Sequence, residues 1–472
     1  MERSVLGGGS KLVHLLYRLC MSESKVSALV LAGMTFILVL LHFAQRANYP
    51  FYHDSLYYWG FANEFGSEKF SLLNYSNELR GYLFPFLLFI LKKQADLFGL
   101  DAKLLFYVYS ALFFTILSVF IIPWSFRTIF QRRTFLWGRL LITLLLFFFW
   151  RGHFLYPLSD FPAFASLLIG VTLLLSSLMD RTVPLWALCI GLFIGVAVNI
   201  RPVYQVSLVI ITPLVLLHLH KIKAVRGITW ISLVLLGFIL ILLPQMQINR
   251  THFKVNSPWV LARVAGDENL YTKQLFWGLG TQKVETNIGN NYPLNVVVYR
   301  DPFILTLQKT NLLREKTFSR YVKIIKRFPL ETAVSYFRHL FNGLDIFFPT
   351  PYVKNVYANH TLLSLVNYLI WFLVILHLLK IDLTKRDYLS VLGVISLLSP
   401  VVLAIPTAIE VRFFLPVYML AYGTVAFGID YEAIAKNLLD NRWKILRFFV
   451  IGILWIILCF SLSMTTIENL VR

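Results

Sequence analysis

Val26-Ser27-Ala28-Leu29-Val30-Leu31-Ala32-Gly33-Met34-Thr35-Phe36-Ile37-Leu38-Val39-Leu40-Leu41-His42-Phe43-Ala44 contains no Asp, Glu, Lys or Arg. At about 1.5 Å of rise per residue, a helix of this length nearly crosses a hydrocarbon core of about 30 Å. Ten more apolar segments follow, over residues 104–124, 135–150, 161–179, 183–200, 204–219, 228–244, 362–379, 388–404, 413–427 and 446–462. The chain is 58% hydrophobic and 14% charged, with a mean hydropathy of +0.68. Soluble domains carry about 25% charged residues. The 472 residues are therefore expected to form an all-α polytopic membrane protein with about eleven spans, thirteen at most.

Residues 81–91 are also apolar, but too few to cross. They are expected to be re-entrant or interfacial; the alternative is a twelfth span that inverts everything after it. Basic residues in short loops decide between the two, because they collect on the inner side. With eleven spans the inner loops carry Arg127, Arg132, Arg133, Lys221, Lys223, Arg226, Lys380, Lys385 and Arg386. A span at 81–91 puts the first three outside, so eleven is preferred. Residues 1–25 are basic and lack an apolar core followed by a cleavage site, so the first span is expected to be an uncleaved anchor. The three cysteines, Cys20, Cys189 and Cys459, give no disulfide framework.

Three regions result: residues 1–244 as an N-terminal transmembrane module, 245–361 as one long outer loop, and 362–472 as the C-terminal spans. The long loop holds 15 Lys+Arg against 7 Asp+Glu, within a formal net charge of +20. A basic surface beside a membrane attracts lipid headgroups or phosphates. Nucleic acid is set aside, since the charge is spread over membrane-adjacent loops and no recognition module is visible. Residues 45–103 are expected to form short helices along the interface. After Pro329, the residues Leu330, Ala333, Val334, Phe337 and Phe341 recur at helical spacing, flanked by Lys323, Lys326, Arg327 and Arg338. This is either an amphipathic helix on the membrane surface or one packed on the loop's own core. Residues 275–293, rich in Gly, Asn and Thr around Trp277, suit sugar binding or an irregular loop.

Ionisable groups at the outer segment ends form three clusters. The first is His53-Asp54 with Tyr57, Tyr58 and Trp59. The second runs from Arg151 through His153 to Ser159-Asp160-Phe161-Pro162. The third is Glu410-Val411-Arg412-Phe413-Phe414-Leu415-Pro416. Charges near lipid are costly unless paired, which makes each a site candidate. Bland roles stand beside these: a helix cap for Asp160, a structural ion pair or a snorkelling arginine for Glu410 and Arg412, and an interface anchor for Arg201. No His, Cys or carboxylate spacing marks a metal site.

Asp54-Ser55-Leu56-Tyr57-Tyr58 resembles the acidic, tyrosine-following motif in the first outer loop of the GT-C membrane glycosyltransferases, the family of the protein O-mannosyltransferases and the lipid A aminoarabinose transferase. The resemblance continues through Arg80-Gly81-Tyr82-Leu83-Phe84-Pro85, Arg132-Arg133, Ser159-Asp160-Phe161-Pro162 and Arg412-Phe413-Phe414-Leu415-Pro416. It runs from Tyr49 to about Lys223 and is patchy beyond; residues 245–361 align with nothing in the family. It implies a GT-C-like fold and transfer of one sugar from a polyprenyl-phosphate donor, undecaprenyl or dolichyl, to an acceptor hydroxyl on the outer face, with inversion. It implies Asp54 as the base, and Asp160 as a second carboxylate orienting the acceptor or a helix cap. Arg80, Arg201 and Arg412 become phosphate ligands, and His53 and His153 position Asp54 or the sugar. Tyr57, Tyr58 and Glu410 are placed in the same site. No cofactor and no metal is expected. The acceptor is a glycan, a lipid or a protein, with an O-antigen-like envelope polysaccharide in a bacterial inner membrane preferred. Two departures stand out: Ser55 follows Asp54 where the family commonly has Glu, and no large soluble domain is expected after the last span. The rivals are a lipid-linked oligosaccharide polymerase or ligase, and a transporter or flippase. Transporters place polar groups near the bilayer midplane, whereas here the charges sit at segment ends.

Overall fold

The computed structural model describes residues 25–46, 49–66, 69–179, 183–221, 224–264, 268–380, 387–439 and 442–471. Cys20, residues 180–182 and the bases Lys223, Lys385 and Arg386, expected in inner loops, lie outside the described residues.

This is a helical, multi-pass membrane protein. Among the described residues nine helices are long and apolar enough to cross a bilayer: Lys25–Ala44, Ala102–Phe130, Leu136–Leu155, Asp160–Met179, Pro202–His220, Ala224–Phe253, Thr361–Leu378, Val411–Gly428 and Trp443–Glu468. Two shorter apolar helices, Pro184–Ile200 and Tyr388–Ala404, accompany them. Together they overlie the eleven apolar segments read from the sequence. Asp160–Met179 is the central helix, buried over most of its length, while Lys25–Ala44 and Trp443–Glu468 are largely exposed.

The first connecting segment holds helix α1 (His53–Phe61) and helix α2 (Leu83–Phe98), with two short 3-10 turns between them. Helix α2 outruns the apolar stretch at 81–91. It continues through Lys92, Lys93 and Asp96 and stops where Gly99 turns left-handed at φ 63°, a conformation glycine adopts without steric cost. It is not among the nine long apolar helices.

Gly81, just ahead of α2, is where two site-bearing segments touch. A Cβ there would lie 1.9 Å from the Asn199 backbone oxygen and 2.7 Å from its side-chain oxygen. Asn199 Oδ1 accepts from Leu83 N (3.1 Å) and its Nδ2 donates to Gln245 Oε1 (3.1 Å), locking three helices together. Gly81→Ala is expected to destabilise the fold by about 1–3 kcal/mol, the usual cost of overpacking. It should also separate Arg80 from Arg201. Thermal unfolding in a bilayer mimetic checks this; an unchanged melting point contradicts it.

The described part of segment 245–361 carries helices and short strands. A two-stranded ladder, β1 (Arg263–Val264) with β2 (Glu268–Asn269), precedes helix α3 (Leu270–Gly278). Strand β3 (Thr281–Asn287) then pairs antiparallel with β4 (Val296–Arg300) and parallel with β5 (Tyr352–Val353). Residues 275–287 are thus the end of α3, a turn and β3, while 288–293 are an irregular connection to β4, and Leu275, Phe276 and Leu279 join a small core with Phe303, Leu307, Tyr321 and Ile324. The sheet is tied to distant chain: Val284 N donates to Ile409 O (2.8 Å) and Val471 N to Val298 O (2.9 Å).

Helix α4 (Pro329–Gly343) is inverted relative to a soluble helix. Leu330, Val334 and Phe337 are exposed, at 77%, 52% and 58%, while Thr332, Ser335, His339 and Asn342 are buried. Buried Asp301 takes in Ser335 and Arg338 from this helix, at 3.0 Å each. The apolar stripe therefore does not pack on the loop's own core.

Candidate active site

Helix α1 sets the first acid. Ser55 Oγ donates to Tyr52 O (2.6 Å) and accepts from Tyr52 N (3.0 Å), and Ser55 N donates to Tyr352 OH (3.0 Å). Ser55 thus holds the start of the helix, at the position where the resembled motif commonly carries a second carboxylate. His53 has φ 41°, a left-handed conformation that strains a non-glycine residue. The strain falls on the residue immediately before Asp54.

Six charged side chains from five segments meet at one end of the bundle. Asp54 Oδ1 accepts from Arg80 Nη2 at 3.1 Å, and its Oδ2 from Arg412 Nη2 at 3.0 Å. Arg412 Nε also donates to Glu410 Oε2 at 2.6 Å, and its Nη1 faces Asp160 Oδ2 at 3.7 Å. Arg201 Nη1 donates to Asp160 Oδ1. Three guanidiniums thus oppose three carboxylates, and Arg412 touches all three acids. Arg80 lies 5.5 Å from the Tyr58 ring centre and Arg201 5.5 Å from that of Phe413. Aromatic faces favour cations at this range.

This arrangement replaces several bland readings. Asp160 is 2% exposed and is held by a guanidinium rather than serving as a helix cap. Arg201 is drawn into that ion pair and is not an interface anchor. Glu410 and Arg412 do form an ion pair, but one that extends to two further acids.

Electrostatics fix Asp54 in its charged form. Burial pushes its carboxyl upward, but Arg412, Arg80 and Arg201 together outweigh this and hold it at about 2. Both oxygens are engaged, so in this state Asp54 is a weak proton acceptor.

The cluster opens onto a cavity of about 850 Å³. Asp54, Arg80, Arg201, Glu410 and Arg412 line its polar part; Ile200, Val203, Leu261, Leu270, Pro400 and Leu403 contribute an apolar wall. A ligand with an anionic head and a hydrocarbon body fits such a division.

Not every candidate joins. Tyr58 lies behind the site, buried, its hydroxyl donating to Ser159 Oγ at 3.0 Å. Tyr57 is exposed and stacks on Phe61 at 6.3 Å, away from the cluster. The His53 ring sits 6.0 Å from that of Tyr352. His153 is buried against Trp150 and lines a separate small cavity with Glu410 and Arg412.

Glu285 on β3 lines that small cavity, with Lys283 beside it; neither stood out in the sequence. Lys283 is fully buried; its Nζ donates to Asp345 O at 2.7 Å, lies 3.7 Å from Glu285 Oε1, and sits 3.3 Å above the Phe347 ring centre. The available signal was the Lys283-x-Glu285 spacing, which puts both on one face of a strand.

Comparison with protein-family models, with curated proteins and with solved structures finds no match to this chain.

Proposed function

We propose that the protein is an eleven-span, GT-C-like glycosyltransferase that moves one sugar from a polyprenyl-phosphate donor to an acceptor hydroxyl on the extracytoplasmic face of a bacterial inner membrane. An O-antigen-like envelope polysaccharide is the preferred acceptor. The observation that carries this reading is the balanced set of three arginines and three carboxylates at the polar part of an apolar-walled cavity.

The balance dictates how a donor binds. With guanidiniums and carboxylates equal in number, an incoming phosphate must compete with a carboxylate for its cation. Asp160 is almost wholly buried, whereas the Asp54 side chain is 27% exposed; Asp54 is the one to yield. The phosphate takes Arg80 and Arg412, because a guanidinium grips phosphate through paired N–H groups. Asp54, freed of both cations, accepts the acceptor's proton as its oxygen attacks the anomeric carbon. The arginines stabilise negative charge growing on the departing lipid phosphate. The outward apolar stripe of α4, with Lys323, Lys326 and Arg327 just before it, rests in the interface among anionic headgroups.

The test is transfer of labelled sugar by purified protein in nanodiscs, over a panel of polyprenyl-phosphate monosaccharides and hydroxyl acceptors. Label should move from at least one donor, and polyprenyl phosphate alone should raise the melting temperature. A protein that transfers nothing and is not stabilised by the lipid phosphate ends this reading.

A further inference from the structure

A carboxylate held as low as Asp54 cannot keep a proton once the product leaves, so the proton needs somewhere to go. The small cavity beside the cluster has the right parts. Its volume is about 20 Å³, room for about one water. Glu285, Glu410, Arg412 and His153 all line it, and Glu410 and Arg412 also line the large cavity. His153 is 8% exposed, and its Nδ1 has no hydrogen-bond partner among the described residues. Two carboxylates and an unpartnered imidazole nitrogen give one water its usual complement of polar neighbours.

We infer that this cavity holds a water joining Glu410 to Glu285, and that the acceptor's proton leaves the large cavity along this path to rest on Glu285. The inference rests on the transferase reading above. The acceptor O–H bond breaks as its oxygen bonds to the sugar, and Asp54 takes the proton. Water in the large cavity passes it to Glu410, which hands it through the small-cavity water to Glu285. The electron pair of the broken glycosidic bond stays on the lipid phosphate, and nothing is oxidised or reduced.

The surroundings of Glu285 suit a proton store. Burial pushes its carboxyl up; Lys283 pulls it down, Glu410 pushes it up and Arg412 pulls it down, leaving it at about 7. Tyr299 on β4, His153 across the small cavity and, beyond Lys283, Asp345 are further titratable groups near it. A proton acceptor works best when its affinity matches the ambient pH.

Two measurements test this. Infrared titration of donor-free protein should show a protonated-carboxyl band that fades as pH rises through about 7, and Glu285→Gln should lack it. In turnover, Glu285→Gln should lower kcat by roughly ten- to a hundredfold, leave the donor KM unchanged and remove the neutral limb of the pH–rate profile; Glu285→Asp should recover part of the rate. Because Glu285→Gln strands buried Lys283, the pair Lys283→Met with Glu285→Gln serves as control. Its staying slow supports the relay, and its full recovery overturns it. Persistence of the band in Glu285→Gln, or an unaltered pH profile, also overturns it. If wild-type protein transfers no sugar, the transferase reading fails, while the infrared titration still decides whether Glu285 is a buried proton site.

Discussion

Arg412→Ala should remove transfer activity altogether, by at least a thousandfold, and should also lower stability. Arg412 is the one cation among the described residues in reach of Asp54, Asp160 and Glu410, at 3.0, 3.7 and 2.6 Å. Truncating it leaves buried Asp160 and the partly buried Asp54 and Glu410 to share Arg80 and Arg201. Breaking a buried pair from one side costs about 3–5 kcal/mol, because the remaining charge stays desolvated. Losing one preorganised donor to a developing oxyanion costs about a hundred- to a thousandfold in rate, and in the proposed reaction the same residue also holds the donor phosphate. Arg412→Lys keeps the charge but not the fork that reaches several acids, so it should fold better yet remain at least tenfold slow. Labelled-sugar transfer and thermal unfolding of both variants check this. Donor dependence equal to wild type in Arg412→Ala would remove the arginine from the phosphate site.

Asp54→Asn should behave differently, and the contrast is diagnostic. The amide is isosteric, so the protein should fold and insert. Without the carboxylate no base stands at the acceptor, and kcat should fall by about a hundred- to ten-thousandfold. Arg80 and Arg412, released from the Asp54 charge, should hold the donor phosphate at least as tightly, so the donor KM should stay level or drop. A raised KM with unchanged kcat would exclude the base role. The acid limb of stability gives a second readout. The folded Asp54 carboxyl lies at about 2, below its unfolded value of about 3.9. A depressed carboxyl contributes stability that is fully present above the unfolded value and lost as pH falls through the folded one. The contribution is of order 2 kcal/mol. Wild-type protein should therefore lose stability between about pH 4 and pH 2, and Asp54→Asn should lack this component.

What the sequence made readable follows from what a bilayer demands. Backbone groups in hydrocarbon must pair within the segment, so spans announce themselves as long apolar runs, and all eleven runs are helical in the fold. Their ends were less legible. Ala102–Phe130 starts early because Asp101 caps Leu104 N at 2.7 Å, and Ala224–Phe253 runs on through Pro244 to bury Gln245 and Asn249. The acids and arginines at segment ends were visible, but their pairing was not, since it depends on which helix ends lie side by side. Tyr57 was separable in principle. Asp54 and Tyr58 are four apart and share a helix face, while Tyr57 lies about 100° round the helix from Tyr58. Glu285 was hidden for another reason. Nothing local in a Gly- and Asn-rich stretch says that a strand will be buried by Ile409 from one direction and Val353 from another.

Strand β4 depends on a backbone bond from Val471, which is made long after β3 and β4 themselves during synthesis. The nascent chain can thread its early helices into the bilayer in order, yet the sheet beneath Glu285 stays incomplete until that distant stretch emerges and docks. Completion of this sheet is thus a late event in the birth of the molecule, set by one stretch of backbone far along the chain.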